Sequence, residues 1–286
     1  MRATADGRVL GTAFYKVMLP STSGDPDRHL IRVDRARTSL TRAIALEDRL
    51  AAKLEGEPIV FSRALAVDPE SLTSVTVGVP GEPLGGLVRH LLTPARVRRA
   101  AGWLELTGRA ARVIEACTVE EVDDREDERS DLMDRRLDRL EGVLSPETMD
   151  RLRRLLGDLY KEALAAEQPL TYAHGDFSPT NLLVDEGIGL IDFEWVPRLR
   201  VFDLSNLVFR LEYETALPTR VVSPLVEAAL HGYGDSEVVA SPQWRFHRIS
   251  NLLKVVRDGP RPWYDRRSGR VRRGLGELEW FVGRAQ

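Results

Sequence analysis

The most informative part of the sequence is a short polar loop in which two side chains could act on the same reaction. It reads His174-Gly175-Asp176-Phe177-Ser178-Pro179-Thr180-Asn181, so a carboxylate precedes a carboxamide by five residues. Phosphoryl transfer needs a carboxylate at the attacking hydroxyl and oxygen ligands that hold Mg²⁺ against the phosphates. A loop of this length can curl so that Asp176 and Asn181 face one cleft. The spacing therefore indicates phosphoryl transfer.

A second carboxylate follows at the end of an apolar hairpin. Leu182-Leu183-Val184 and Ile188-Gly189-Leu190-Ile191 read as two strands around the turn Asp185-Glu186-Gly187. The hairpin delivers Asp192, which can bridge Mg²⁺ to the phosphates of a nucleoside triphosphate. A protein-kinase catalytic loop likewise places its base aspartate five residues before its metal-binding asparagine. The pattern predicts a kinase that depends on Mg²⁺.

Three motifs resemble, in order, the aminoglycoside phosphotransferase and choline kinase family over about fifty residues. They are His174 to Asn181, then Ile191-Asp192-Phe193-Glu194-Trp195, then Phe202-Asp203-Leu204-Ser205-Asn206-Leu207. The resemblance implies a protein-kinase-like fold of two lobes, with Asp176 as the catalytic base and Asn181 and Asp192 as Mg²⁺ ligands. It also implies that His174 shapes the loop, and it makes Glu194 a candidate contact for metal or substrate.

The elements around these motifs predict an α+β chain. Short β segments are expected at Ala13 to Leu19, His29 to Asp34, Ile59 to Ala66 and Ser74 to Val79, with a helix at Thr38 to Leu54. The segment from Gly78 to Gly86 breaks all periodicity, and mostly helical sequence follows. We therefore predict a small mixed β lobe that binds nucleotide, residues 1–80, and a larger helical lobe for catalysis and substrate, residues 81–286.

The small lobe should supply a basic residue on a strand and a helical carboxylate that holds it. Arg32, on the predicted strand Leu30-Ile31-Arg32-Val33, is the favoured basic residue, and Glu47 is its predicted partner, because a helix follows that strand directly. Lys16 is the alternative. It is one of only four lysines in a chain with 41 basic residues, and its compact charge would suit a phosphate.

The small lobe should also supply a cover for the phosphates. Gly7 and Gly11 stand just before the strand Phe14-Tyr15-Lys16-Val17, so Gly7-Arg8-Val9-Leu10-Gly11 is the candidate cover. Asp203 has a different expected role. It could be a second active-site carboxylate, but in the family's pattern the aspartate after the metal motif holds the catalytic loop. The resemblance therefore implies that Asp203 holds the loop by hydrogen bonds, as a buried carboxylate is usually satisfied by backbone donors.

The composition limits the size of the core, the cellular location and the partners that we expect. A chain of 286 residues with 43% hydrophobic content can bury a sizeable core, and Cys117 alone cannot form a disulfide framework. The first residues lack the apolar stretch of a secretory signal, and no segment of 18 residues is free of charge. We expect a cytoplasmic protein with no membrane partner. The 45 C-terminal residues are basic, but no nucleic-acid motif accompanies them, so nucleic acid is not an expected partner.

These features together predict a kinase that transfers the γ-phosphate of ATP or GTP to a hydroxyl of a small molecule. The stretch Val119 to Glu141 holds eleven acidic and five basic residues, which favours a cationic acceptor such as an amino sugar or amino alcohol. Two alternatives are a pseudokinase-like regulatory protein that binds nucleotide and a protein kinase. Asp176, Asn181 and Asp192 together argue against the first. Against the second, Phe202-Asp203 follows Asp192 with no long activation segment between them.

Overall fold

The computed structural model describes residues 2–5, 8–17, 26–88, 93–118, 137–138, 140, 142–215, 217–235, 237–258 and 269–284. The strands are β1 (Arg2–Ala5), β2 (Arg8–Val17), β3 (Ile59–Phe61), β4 (Ala64–Asp68), β5 (Thr73–Val77), β6 (Glu82–Pro83), β7 (Leu170–Ala173), β8 (Leu182–Val184), β9 (Ile188–Leu190) and β10 (Val196–Leu199). The helices are α1 (Pro26–Lys53), α2 (Leu84–Val88), α3 (Pro94–Thr118), α4 (Pro146–Leu164), α5 (Phe202–Tyr213), α6 (Thr219–Tyr233), α7 (Pro242–Asp258) and α8 (Arg270–Arg284), with a 3₁₀ turn at Val238–Ala240. One four-stranded sheet lies toward the N-terminus, four further strands lie between residues 170 and 199, and helices form most of the remainder, which confirms the predicted α+β class.

An antiparallel sheet of four strands forms the N-terminal region, in the order β1-β2-β5-β4. Side chains alternate between the faces of a strand, so Phe14 and Lys16 of β2 share a face with their cross-strand partners Thr76 and Ser74 of β5. That face is turned toward α1 and the loops that follow. The predicted segment Ile59 to Ala66 is two strands, interrupted at Ser62 and Arg63.

The helix α1 is longer than the sequence predicted. The strand predicted at His29 to Asp34 is wrong, because these residues form the first turns of α1. Their β-branched residues suggest a strand, but no breaker separates them from the strongly helical sequence after Thr38, and helix propagation outweighs local propensity. On the buried face of α1 lie Leu40, Leu46, Leu50 and Leu54, whereas Ile44 is 40% exposed.

A second sheet connects the N-terminal region to the rest of the protein. Its order is β3-β9-β8-β6, in which β3 pairs in parallel with β9, and β8 pairs antiparallel with both β9 and β6. β8 and β9 form the hairpin that the sequence predicted before Asp192. The predicted boundary near residue 80 stays a prediction.

The helical region has two hydrophobic cores. The first joins the second half of α1, the strands β8 and β9, α3, α5 and α6, and the second joins α4, α7 and α8 against the other side of α5. The helix α4 begins at Pro146, because Ser145 caps it and Pro146 fills its first position. The acidic stretch Val119 to Glu141 lies mostly outside the described residues, although Leu137 and Leu140 are buried in the second core.

A buried carboxylate on α3 fixes the start of α5. Glu115 accepts hydrogen bonds from the Arg200 Nε (2.7 Å), the Val201 backbone N–H (2.7 Å) and the Tyr233 hydroxyl (2.9 Å). Val201 adopts a left-handed backbone at the N-cap of α5, with φ of 68°. Glu115 therefore holds α3, α6 and the entry to α5 in one arrangement.

No helix among the described residues is long and apolar enough to cross a membrane.

Two glycines allow α3 and α6 to pack backbone against backbone. A Cβ added at Gly108 of α3 would overlap the Ala229 carbonyl oxygen, and one added at Gly232 of α6 would overlap the Glu105 carbonyl oxygen. Gly102 also lies on α3, but a Cβ there would meet nothing within 4 Å. The two glycines of α3 therefore differ in packing alone.

We expect Gly108→Ala to lower the free energy of unfolding by about 2 kcal/mol or more, because overpacked helices must separate. Gly102→Ala should instead raise it by roughly 0.5–1 kcal/mol, through the better helix propensity of alanine. Urea denaturation followed by circular dichroism measures both. Equal effects of the two substitutions would show that α3 and α6 do not approach so closely.

Candidate active site

The polar loop from His174 to Asn181 connects β7 to β8, and Asp203 holds it by hydrogen bonds. The Asp203 carboxylate, on the first turn of α5, accepts the backbone N–H groups of His174 (2.7 Å) and Gly175 (3.2 Å). This is the role that the sequence predicted for Asp203. Full burial raises the pKa of Asp203 to about 7, although the two N–H donors favour its charged form.

Asp176 lies at the open end of this loop with both carboxylate oxygens engaged. Oδ2 accepts from Asn181 Nδ2 at 3.0 Å, and Oδ1 lies 2.7 Å from Arg210 Nη2. Arg210 in turn pairs with Glu214 at 3.1 Å. The Asp176 side chain is still 39% exposed, so a ligand can reach it. The carboxylate is therefore oriented but accessible, as a general base requires.

Arg210 is a residue that sequence reasoning missed. It lies seven residues after Asp203 on α5, which is two turns, so both side chains lie on the same side of the helix. Once Asp203 was expected to hold the loop, that spacing was the available signal that Arg210 would also reach it.

Asn181 and Asp192 offer oxygen atoms beside Asp176. The Asn181 amide nitrogen donates to the side chain and to the backbone oxygen of Asp176, both at 3.0 Å, so its Oδ1 points elsewhere. The backbone N–H of Ile191 donates to the Asn181 carbonyl at 3.1 Å, which brings the residue before Asp192 next to Asn181. The loop and the hairpin thus deliver both predicted metal ligands to one region.

These residues fit Mg²⁺ in their chemistry. Carboxylate and amide oxygens are the hard ligands that Mg²⁺ prefers. The described residues hold no group of three or more His, Cys, Asp or Glu that could bind a metal by themselves.

Lys16, the alternative basic residue, lies at this site among the described side chains. Lys16 lies on β2, and its Nζ is 3.0 Å from Asp192 Oδ1. Arg32 lies in α1, so the strand that favoured it is wrong. The Lys16 and Asp192 side chains are 39% and 55% exposed, and a pair so exposed is worth at most about 1 kcal/mol. A ligand that binds either group could displace it at little cost.

Glu47 lies near the site, but its predicted pairing with Arg32 is wrong. Both residues lie on α1, fifteen positions apart, which is about 22 Å along a helix and beyond side-chain reach. Glu47 instead accepts from the Ala64 backbone N–H (2.6 Å) and the Trp195 indole N–H (3.3 Å). Burial raises the pKa of the Glu47 carboxyl, and these two N–H donors oppose that rise.

The candidate glycine cover is only partly described. Gly7 lies outside the described residues, and Gly11 lies within β2, where it pairs with Ala3 of β1.

Phe14 was not a predicted site residue, yet it lies two positions before Lys16 on the same face of β2 and is 57% exposed. The pattern of alternation in β2 was the signal for it.

His174 and Glu194 lie behind the loop that carries Asp176. His174 is fully buried, its ring centroid 4.2 Å from that of Phe193, and desolvation lowers its pKa to about 4, so its imidazole is neutral at neutral pH. Burial raises the pKa of the Glu194 carboxyl, and the charge of Asp176 raises it further. Gly175 has φ of 98°, and a Cβ there would lie 2.7 Å from the Glu194 Cβ, so this position requires glycine.

A cleft that is partly open to solvent lies beside this loop, with about 470 Å³ of space not filled by protein atoms, open solvent included. Its walls are the inner face of the N-terminal sheet with Lys16, one face of α1 with Glu47, and the segment from Asp192 to Trp195. A cleft with a lysine, an exposed carboxylate and a neighbouring oriented base can hold a polyanion and activate a hydroxyl.

Known proteins share this architecture. A choline/ethanolamine kinase family protein from Mesorhizobium loti is 20% identical, with a TM-score of 0.53 over 86% of this chain and 82% of that one. The GDP complex of aminoglycoside 2'-phosphotransferase-IIIa is 16% identical, with a TM-score of 0.52 over 89% and 84%. A thermostable mutant of aminoglycoside phosphotransferase APH(4)-Ia is 13% identical, with a TM-score of 0.51 over 85% and 84%. These likenesses confirm the predicted two-lobed, kinase-like fold.

Sequence comparison gives the family. None of the curated proteins matches the chain. The family model described as the phosphotransferase enzyme family matches residues 21–248, which is well over half of the 286 residues. The match contains the loop with Asp176 and Asn181, the hairpin that ends at Asp192, and all of α5. The chain therefore belongs to the phosphotransferase enzyme family.

Proposed function

We propose that this protein transfers the γ-phosphate of ATP or GTP to a hydroxyl group of a small molecule. The observation that carries the proposal is the geometry of Asp176, which Asn181 (3.0 Å) and Arg210 (2.7 Å) orient on an accessible loop. A binding protein has no need of an oriented base. The donor is supported by the solved relative that holds GDP, because a site for a nucleoside diphosphate also fits the triphosphate before transfer.

In this proposal Asp176 accepts a hydrogen bond from the acceptor hydroxyl, aims its oxygen at the γ-phosphorus and takes its proton late in the transfer. Arg210 and Asn181 keep the carboxylate in that orientation. Lys16 leaves Asp192 and contacts the phosphates, as a strand lysine does in kinases. Asn181 and Asp192 are the residues that would hold Mg²⁺, whose charge would offset that of the phosphates.

The donor base would lie against the N-terminal sheet in the region of residues 1–80. Phe14 offers an exposed ring two residues from Lys16 on the same face, and a nucleobase can stack on such a ring. Gly7 and Gly11 stay a candidate cover for the phosphates.

The acceptor is proposed to be a small cationic alcohol. The relatives are named for choline, ethanolamine and aminoglycosides, which are hydroxyl compounds with an amino or ammonium group. Glu194 and Glu214 lie near Asp176 and could face such a group. The acidic stretch Val119 to Glu141 would raise the local concentration of cations. A cytoplasmic location, where ATP and GTP are abundant, fits this activity.

The direct test is transfer of labelled γ-phosphate from ATP and from GTP to a panel of acceptors. The panel contains amino sugars, choline-like amino alcohols, neutral sugars and anionic alcohols, each with Mg²⁺ and with excess EDTA. We expect labelled product from a cationic acceptor only when Mg²⁺ is present, with a rate that falls as salt is added. Transfer in EDTA would contradict the metal assignment, and transfer to neutral or anionic acceptors alone would contradict the acceptor class.

Substitution of Asp176 separates catalysis from binding. Asp176→Asn keeps the shape and removes the base, so we expect the catalytic rate to fall about a hundredfold or more. Nucleotide affinity should change by no more than a few fold. Asp185→Asn, in the exposed turn between β8 and β9, is the matched control and should keep full activity. Steady-state kinetics measures turnover, and calorimetry measures nucleotide affinity. Near-normal turnover of Asp176→Asn would overturn the assignment of Asp176 as the catalytic base.

Lys16 and Arg32 give opposite predictions. Lys16→Ala should weaken binding of a non-hydrolysable nucleotide about tenfold or more, the scale of one lost charge-assisted hydrogen bond. Arg32→Ala should change it less than twofold, because Arg32 lies in helix α1 and not on the strand that a phosphate contact was predicted to need. Calorimetric titration measures both. The reverse pattern would return the phosphate contact to Arg32.

A further inference from the structure

The segment that carries Asp192 has an unusual backbone. Asp192 and Trp195 both have positive φ, of 64° and 45°. Aspartate tolerates this conformation, but for a bulky residue such as tryptophan it is an outlier that persists only when surrounding contacts hold it. Something outside the segment must therefore keep Trp195 in place.

Helix α1 supplies two of those contacts. The Ser39 hydroxyl donates to the carbonyl oxygen of Glu194, and the Glu47 carboxylate accepts the indole N–H of Trp195 at 3.3 Å. Ser39 and Glu47 are eight residues apart, so they lie on one broad face of α1, about 12 Å apart along its axis. Both are buried. We call this pair the α1 clamp.

The other side of the segment rests on the catalytic loop. The Glu194 backbone N–H donates to the His174 carbonyl at 2.7 Å, and the Phe193 ring stacks between His174 and Trp195, with centroid distances of 4.2 and 4.7 Å. Residues 193–195 are thus held by contacts with α1 on one side and with the catalytic loop on the other. Asp192 is three residues from Trp195 in the same strained segment, so the contacts that hold Trp195 also constrain the backbone from which the Asp192 carboxylate projects.

Glu47 can hold Trp195 because it does not pair with Lys16, the lysine on β2. Lys16 pairs with Asp192 instead, and the second Glu47 oxygen is fixed by the Ala64 backbone N–H at 2.6 Å. A buried carboxylate that receives two N–H groups is a rigid anchor. The same residue type that holds a lysine in other kinases here holds a tryptophan.

We propose that the α1 clamp positions Asp192 for metal binding, so that Ser39 and Glu47 act on the reaction through the backbone of residues 192–195. This inference rests on the proposed function, since it assumes that Asp192 holds the metal of a metal–nucleotide complex. Ser39 and Glu47 touch neither metal nor substrate and are positioning residues.

The test compares two variants that each remove one grip. Ser39→Ala deletes the hydroxyl, and Trp195→Phe deletes the indole N–H while keeping a ring against Phe193. Thr41→Ala is the matched control, because it deletes a hydroxyl from an exposed position of α1 that bonds only the Arg37 carbonyl of its own helix. Asp192→Ala is the reference for loss of the metal ligand.

The first measurement is Mn²⁺ affinity by electron paramagnetic resonance, with a saturating non-hydrolysable nucleotide. We expect Ser39→Ala and Trp195→Phe each to weaken Mn²⁺ binding about three- to tenfold, the scale of one lost hydrogen bond. Thr41→Ala should match the natural protein, and Asp192→Ala should lose the site. Natural Mn²⁺ affinity in both clamp variants, even with a lower melting temperature, would overturn the proposal.

The second measurement is hydrogen exchange of the peptide around residues 193–196, which needs no activity. Faster exchange in both clamp variants, but not in Thr41→Ala, is expected if α1 holds the segment. Unchanged exchange would refute the clamp itself. If the natural protein bound no Mn²⁺ with nucleotide, the proposed function would fail, while exchange would still report whether α1 grips this segment.

Discussion

The catalytic loop depends on two hydrogen bonds, from the backbone N–H groups of His174 and Gly175 to the buried carboxylate of Asp203. Burial disfavours the charge of Asp203, whose pKa is raised to about 7, so the bonds are strong only where the protein keeps the donors aligned. That alignment begins at Glu115, which fixes Val201 at the start of α5. Because α5 also carries Arg210, one helix sets both the backbone of the loop and the direction of Asp176.

The spacing of the sequence predicted which polar residues lie together at the site better than it predicted which residues support them. Asp176 and Asn181 lie in one short loop, and Asp192 ends the adjoining hairpin, so local spacing alone brings them together. The role of Asp203 was implied by the family's pattern, in which the aspartate after the metal motif holds the loop. These features depend on neighbours close in the chain, which patterns of residue type can report.

Features that depend on distant segments were not predictable in the same way. The pairing of Lys16 with Asp192 joins residues 176 positions apart, and the contact between Glu47 and Trp195 joins residues 148 apart. Residues 29–34 have the composition of a strand, but they continue a helix that packs along the cleft. Helix and strand compete closely in such a stretch, and tertiary packing decides between them. The error over Arg32 followed directly from that local ambiguity.

The pairing of β3 with β9 has a mechanical consequence. β3 lies far before Asp192 in sequence, yet it is hydrogen-bonded in parallel to the strand that leads to Asp192, and the second half of α1 is buried in the same core as the catalytic loop. The hydrogen bond from the Ala64 backbone N–H to Glu47 then ties β4, an edge of the four-stranded sheet, to α1. Lys16 and Asp192 are thus connected through this hydrogen-bonded framework as well as by their own ion pair, so a load on the N-terminal sheet is passed to the metal-binding segment along two routes.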